Sequence, residues 1–385
     1  MATAAATEAP RDKLELAGFG VLLGFVAALQ ISIAAAEILL FLLVLLWGFW
    51  LAARHEPFET PRMFIPLVVY AGMTLVSTAF SSDPPVSLTA CKQLVLFMLV
   101  PAVYRLARGS RASIVVEVII GVGAASAALG IVQYAVLGYD NLGQRPHGVM
   151  GHYMTYSGLL MLVACTSSAR VLFSRERIWP ALTMPVVLVA LALTFTRSAW
   201  VGTCVAVALL LSLKEIRLVA LLPIVAALFF ALAPQRVTDR FYSIFDLRDP
   251  TNAERVAMLR EGGRMIAAHP IVGLGPNMVE ERYAEYSRPT DPFHNNQHLH
   301  DVPVQIAAER GLPALGVWIW FVMTLVVDLI RKLRTSAQPL FPAAGLAAIA
   351  AMLGAGLFEY NFGDSEFLML FLVLVTLPYA ADRIQ

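Results

Sequence analysis

Charge-free apolar runs recur along the chain at a length that suits a lipid bilayer. The stretches 16–36, 63–82, 118–139, 146–169, 178–196 and 335–358 contain no Asp, Glu, Lys or Arg, and each is close to the roughly 20 residues a spanning helix needs. Six more runs, rich in Leu, Val, Phe and Ala, are shorter or adjoin a charge: 37–53, 92–107, 198–213, 217–234, 313–330 and 366–381. The pattern predicts about twelve transmembrane helices in an all-α, polytopic integral membrane protein. One segment breaks the rhythm. Residues 234–302 hold eight basic and ten acidic residues among 69, the polarity of a soluble domain, and loops this long in a compact chain are usually functional. The chain therefore divides into 1–233 with nine spans, a loop 234–312 built of short helices, and 313–385 with three more spans.

Composition narrows the class. Hydrophobic residues make up 58% of the 385 and charged ones 14%, against about 25% charged in ordinary soluble domains. That excludes a cytosolic enzyme, and it excludes disorder, which needs low hydrophobicity and high net charge. With 28 Lys and Arg against 27 Asp and Glu there is no basic stripe for nucleic acid. Sixteen of the basic residues, among them Arg105, Arg108, Arg111, Arg170, Arg175, Arg177, Arg331, Lys332 and Arg334, fall in one alternate set of connections, whereas the opposite short loops hold only Lys92, Arg145 and Arg197. The positive-inside rule then puts both termini in the cytoplasm and the long loop outside. Residues 1–10 show no cleavable signal pattern. Cys91, Cys165 and Cys204 are odd in number, lack metal-ligand spacing and read as buried packing residues.

Inside the long loop, Thr251-Asn252-Ala253-Glu254 has the form of a capping box after Pro250, so a helix should start there. Val256, Leu259, Gly263 and Ile266 give it an apolar face, and a second helix is expected over Met278–Tyr286, followed by loop at 287–297. Asp301 is a good N-cap, Pro303 fits a first turn and Gly311 is the expected stop, with Pro313 opening the next span. His300 then stands at a helix start, where the local field favours anions and a neutral imidazole, the form a general base needs.

His300-Asp301, nine residues, then Gly311 resembles the signature of bacterial O-antigen ligases. Asp301 stands where that family usually has Asn, Ser or Gln, and Ala314 where it has Gly, Thr or Tyr. Arg255-Val256-Ala257-Met258-Leu259 is similar to its Arg-x-x-x-Leu motif. Thr194-Phe195-Thr196-Arg197 is similar to an element at the outer end of a span, and the run 269–275, His-Pro-Ile-Val-Gly-Leu-Gly, resembles a motif of the wider ligase and polymerase superfamily of membrane GT-C-type glycosyltransferases. The resemblance implies transfer of O-antigen glycan from an undecaprenyl pyrophosphate carrier to lipid A-core, in the periplasmic leaflet of the bacterial inner membrane, for lipopolysaccharide biosynthesis. No cofactor and no metal are implied, and the partners are the two lipid substrates and membrane lipids. His300 is the candidate base for an inverting attack. Arg197 and Arg255 are candidate pyrophosphate clamps, since a guanidinium pairs with two phosphate oxygens at any working pH, and Arg145 is a third. Asp301 is the candidate group to orient His300, while His298, His147 and His152 are candidate substrate contacts.

Each residue also has a plainer reading. Arg197 at a span end could anchor the helix by snorkelling, and Arg255, Arg260 and Arg264 could form surface ion pairs. His294, His298 and His300 could bind a metal, although no His-Glu-x-x-His or Cys accompanies them. His147 and His152 flank a Gly-rich loop that could simply be solvated. A polymerase would use the same donor and a second carrier-linked glycan. A flippase or transporter would fit the spans, yet the paired half-repeats and midplane charges expected of one are not visible.

Overall fold

A computed structural model describes residues 13–54, 57–246, 248–288 and 294–383. Among these the regular elements are all helical: α1 (Lys13–Ala28), α2 (Ile33–Arg54), α3 (Phe64–Ala79), α4 (Pro84–Ala90), α5 (Leu99–Leu106), α6 (Arg111–Ala135), α7 (Tyr153–Phe173), α8 (Ile178–Leu193), α9 (Arg197–Lys214), α10 (Leu221–Leu232), α11 (Gln235–Tyr242), α12 (Pro250–Ala268), α13 (Met278–Tyr286), α14 (Val302–Thr335), α15 (Leu340–Gly356) and α16 (Ser365–Ala381), with short 3-10 turns between some of them. Arg11, the residues 1–10 and part of the 287–297 loop lie outside the described residues.

Six helical stretches are long and apolar enough to cross a membrane: Ile33–Ala53, Pro84–Leu106, Arg111–Ala135, Tyr153–Phe173, Arg197–Lys214 and Val302–Thr335. Five shorter apolar helices and α1 occupy the other apolar runs. The molecule wears its hydrophobic residues outward in a way water would penalise and lipid would not. On α10, for instance, no residue is buried, and Leu221, Ile224, Val225, Leu228 and Leu232 are all exposed. Several predicted limits shift. The first two runs separate at 29–32, where the Ser32 hydroxyl accepts from Ala35 N–H at 3.4 Å, rather than at Glu37. The run predicted from residue 92 begins at Pro84, capped by Asp83, and an exposed Lys92 lies inside it. Charge marks where a side chain must reach water, not where a helix ends. Cys204 is exposed on α9, contrary to its reading as a buried residue, while Cys165 is buried and Cys91 lies between.

At the centre stand α7, α15 and α16; every residue of α16 from Glu366 to Ala380 is buried. α15 packs on α7, α9, α14 and α16. Its approach to α9 depends on Gly202, where a Cβ would meet the Ala351 carbonyl at 2.7 Å and Met161 Sδ at 2.5 Å. Without a hydrophobic drive between helices in lipid, such small-residue contacts supply the packing. The N-terminal part of α9 is thereby held against the C-terminal part of α15, and the candidate site lies at these two ends.

The segment 234–312 adds its own small core, in which Met258, Met265, Leu274, Met278, Val279, Tyr283, Leu299 and Ala308 pack together. α12 starts two residues earlier than the capping box suggested: Asp249, not Thr251, is the N-cap and accepts from Thr251 and Asn252 N–H, and Pro250 occupies the first turn. Its buried face also differs from the expected one. Val256 and Leu259 are 49% and 46% exposed, and Ala257, Met258, Glu261, Gly262 and Met265 turn inward. A stripe of Met and Gly wins because Gly262 lets Val304 and Leu299 approach within 2.4–2.9 Å of where a Cβ would sit. α13 covers Met278–Tyr286 as expected. The helix from Val302 breaks at Gly311, at φ 83° and ψ 166°, before its apolar part continues.

Candidate active site

The turn before α9 explains how a charged residue is fixed at the start of an apolar helix. Thr194 Oγ1 donates to the Leu191 carbonyl at 2.7 Å, Phe195 adopts a left-handed φ of 54°, and Thr196 precedes the first helical residue, Arg197. Arg197 is 5% exposed. Its Nη1 donates to the Ser243 carbonyl at 2.8 Å and to Ser243 Oγ at 2.9 Å, and its Nη2 donates to Asp249 Oδ1 at 3.3 Å. One guanidinium thus ties a span to the segment 234–312, with the carboxylate that also caps α12.

Arg197 is not alone. Arg145, Arg240 and Arg255 line the same cleft, of about 240 Å³, with Tyr153, Glu254 and His300. Arg145 stacks over Tyr153 at 4.1 Å. Arg240 lies 3.7 Å from Asp249 and donates to the Phe195 carbonyl at 3.5 Å. Burial, then Arg197 and Arg145, pulls the Arg240 guanidinium down to about 10. Burial also lowers Arg255, against the opposing pull of Glu359. Four guanidiniums line the cleft with one carboxylate, Glu254, while Asp249, which already serves a helix cap and two arginines, and Glu359, which serves two histidines, act on it from beside it. The cleft carries a surplus of positive charge in a partly dry setting, where it is worth far more than in water.

His300 closes one side of this cleft, and its partner is a surprise of the fold. Nδ1 lies 3.0 and 3.1 Å from the two oxygens of Glu359, in the turn after α15. His298 Nε2 reaches the same carboxylate at 3.2 Å, and the two imidazole rings are 4.1 Å apart. Burial alone would raise the Glu359 carboxyl; the hydrogen bonds and charges of His298 and His300 more than offset it and hold the group well below the usual carboxylate range. A charged carboxylate on Nδ1 makes that nitrogen the donor and leaves Nε2 as the acceptor of the ring. Asp301, expected to orient His300, instead accepts from Val304 N–H at 2.8 Å and caps the helix. The reason is local: an N-cap side chain turns toward its own helix, whereas His300, at φ 50°, turns away from it.

The other histidines disperse. His298 and His152 line a second cleft of about 320 Å³ beside Glu359, together with Asn277, Glu280 and Asp364. His147 packs on Tyr139 at 5.5 Å, with its backbone N–H on Gln133, and lines neither cleft. His294 meets Ser287 Oγ at 3.1 Å. Of the three histidines considered for metal, only His298 and His300 come together, and Glu359 completes a trio with donor atoms within 4.8 Å of one another. Arg264 bonds Glu261 and the Tyr286 carbonyl, an ion pair as expected but with a buried carboxylate and not at the surface.

The run 269–275 has a structural job. Leu274 and Gly275 N–H groups donate at 2.9 Å to the Ala308 and Glu309 carbonyls, and Leu312 N–H donates to the Pro270 carbonyl at 2.8 Å. The first two bonds satisfy carbonyls, and the third an N–H, orphaned where the helix breaks at Gly311. The run therefore pins the helix that carries His300 at its start. Arg240 and Glu359 escaped the sequence reading. Arg240 sits in no motif; Glu359 is the first charge after the run 335–358 and could have been flagged as an ionisable group at a span end.

A family model described as O-Antigen ligase matches residues 181–319, a stretch that contains Arg197, Arg240, Arg255 and His300. No curated protein matches the chain. The match supports assignment to the O-antigen ligase and polymerase superfamily that the motifs suggested, and with it a membrane glycosyltransferase-like enzyme.

Proposed function

We propose that this protein is the ligase of that superfamily: it moves preassembled O-antigen glycan from undecaprenyl pyrophosphate to a sugar hydroxyl of lipid A-core. The observation that carries the reading is the cleft in which four arginines face a histidine whose Nδ1 is held by a carboxylate. Departure of the carrier builds negative charge on pyrophosphate, and preorganised cations aimed at that charge stabilise the transition state. Arg197, Arg240 and Arg255 take this role, with Arg145 at the rim. His300 Nε2 removes the proton from the acceptor hydroxyl. The hydroxyl oxygen bonds to the sugar carbon as the carbon–oxygen bond to pyrophosphate breaks on the opposite face, with inversion. Glu359 stabilises the imidazolium that forms, and no step calls for a metal.

The second cleft, with Asn277, Glu280 and Asp364, adjoins His300 through Glu359 and suits a hydroxyl-rich acceptor. The distribution of basic residues supports cytoplasmic termini, with 234–312 and the site on the periplasmic face of the inner membrane. Both substrates keep their lipid tails in the bilayer, which explains an active cleft at span ends.

The test is reconstitution. Purified protein with lipid-linked O-antigen and lipid A-core should give product without ATP or added metal, and His300→Ala should insert normally and give none. Lengthening of glycan on the carrier would instead make it a polymerase, and flux across vesicles without product a transporter.

A further inference from the structure

His298, His300 and Glu359 have a geometry that goes beyond orienting a base. His298 Nε2 and His300 Nδ1 stand 3.2 and 3.1 Å from the same oxygen, Glu359 Oε1. In a tetrahedral zinc site with bonds of about 2.0–2.1 Å, neighbouring ligand atoms are about 3.3 Å apart. Two edges of such a site are already at that spacing. The third lies within 4.8 Å and closes by a modest rotation of the imidazoles, whose side chains are 29% and 20% exposed. The backbone prepares the pair: the left-handed turn at His300 and the burial of Leu299 between them set both rings on one side, 4.1 Å apart. Among the described residues this is the one trio of His, Cys, Asp or Glu so arranged.

We propose that this trio is a zinc site and that zinc bound there inhibits the enzyme; the inhibitory part rests on the glycosyl transfer proposed above. Two imidazoles and one carboxylate suit zinc, whereas calcium and magnesium seek oxygen ligands throughout. Zinc on Nδ1 of His300 displaces the proton from that nitrogen to Nε2 through solvent. The ring then presents an N–H where it had presented a lone pair and no longer accepts a proton. Glu359 is drawn to the metal at the same time. The fourth position is left to water.

The experiment titrates zinc into the purified full-length protein in detergent against a chromophoric chelator, with calcium and magnesium in parallel. Wild type, His298→Ala, His298→Gln and Glu359→Gln are compared, and thermal unfolding verifies that each is folded. One zinc per chain is expected in wild type, weakened by about tenfold or more in the variants that fold, with no competition from calcium or magnesium. Absence of stoichiometric binding, or equal binding by wild type and both His298 variants, overturns the site. In the transfer assay, loss of product that a chelator restores is the expected result. Zinc that binds through the trio yet leaves transfer unchanged overturns the inhibitory role and counts against His300 as the base, while the binding result stands independently of any acceptor.

Discussion

His300 Nδ1 lies 3.0 Å from a carboxylate oxygen of Glu359, a residue 59 positions later in the chain. The pairing joins the start of α14 to the turn after α15. It makes the histidine one half of an imidazole–carboxylate pair whose second half belongs to the helical bundle.

Glu359→Gln should therefore lower transfer by about 10²–10⁴-fold, as expected when a histidine base loses the carboxylate that sets its tautomer. Steady-state rates with lipid-linked donor would check this, and a wild-type rate would refute the pairing. The same group gives a pH signature. Its folded-state value is depressed, so its contribution to stability is present above the ordinary carboxylate range and is lost as pH falls through the lower folded value. Wild type should unfold at a higher temperature than Glu359→Gln at neutral pH, and the margin should disappear in strong acid as pH falls through the lowered folded value.

Arg255 offers the cleanest test of the cation cleft. Arg197 bonds Ser243 and Asp249 and thus also anchors the fold, so its loss mixes structure with chemistry. Arg255 lies in the cleft with long-range pulls from Glu359, Glu254 and Asp249. Arg255→Ala should cost about 10²–10³-fold in turnover, the scale for one transition-state donor. Arg255→Lys should recover little of it, because a point charge cannot pair two phosphate oxygens. Unchanged turnover in both would remove Arg255 from the clamp.

Gly311 sits at φ 83° and ψ 166°, and a Cβ there would meet the Ile271 carbonyl at 2.1 Å. That backbone region is essentially confined to glycine, and strain of this kind costs about 1–3 kcal/mol before any clash. Gly311→Ala should lower the unfolding temperature and loosen the run 269–275 from the helix break, visible as faster proteolysis near residue 272. An unaltered digestion pattern would show that the break does not depend on this contact.

What the sequence disclosed and withheld follows from the range of the forces involved. The all-helical, apolar character of the chain, the α13 limits and the Gly311 break are local, set by apolar length and by single-residue backbone preference, and they were readable, whereas several helix limits were not. The buried face of α12 was not, because Met258, Gly262 and Met265 gain their advantage only from the partners Val304 and Leu299. Arg197, Arg255 and His300 came from motifs, which record chemistry at fixed spacing. Arg240 and Glu359 enter the site only through tertiary folding, one from α11 and one from beyond α15; nothing in its neighbours' order marks Arg240, and Glu359 is marked only by its place at the end of an apolar run.

Asp301 separates two accounts of His300. If the carboxylate next in sequence oriented the imidazole, Asp301→Asn would lose nearly as much activity as Glu359→Gln. The structure gives Asp301 a different duty, accepting from Val304 N–H at 2.8 Å, and Asn caps a helix about as well as Asp. Asp301→Asn should therefore keep both turnover and unfolding temperature close to wild type. Asp301→Ala should lose about 1 kcal/mol of stability, typical for removal of a cap, and a share of activity through a less ordered His300. Parallel rate and unfolding measurements on the two variants decide the matter, and a large rate loss in Asp301→Asn at unchanged stability would return the orienting role to Asp301.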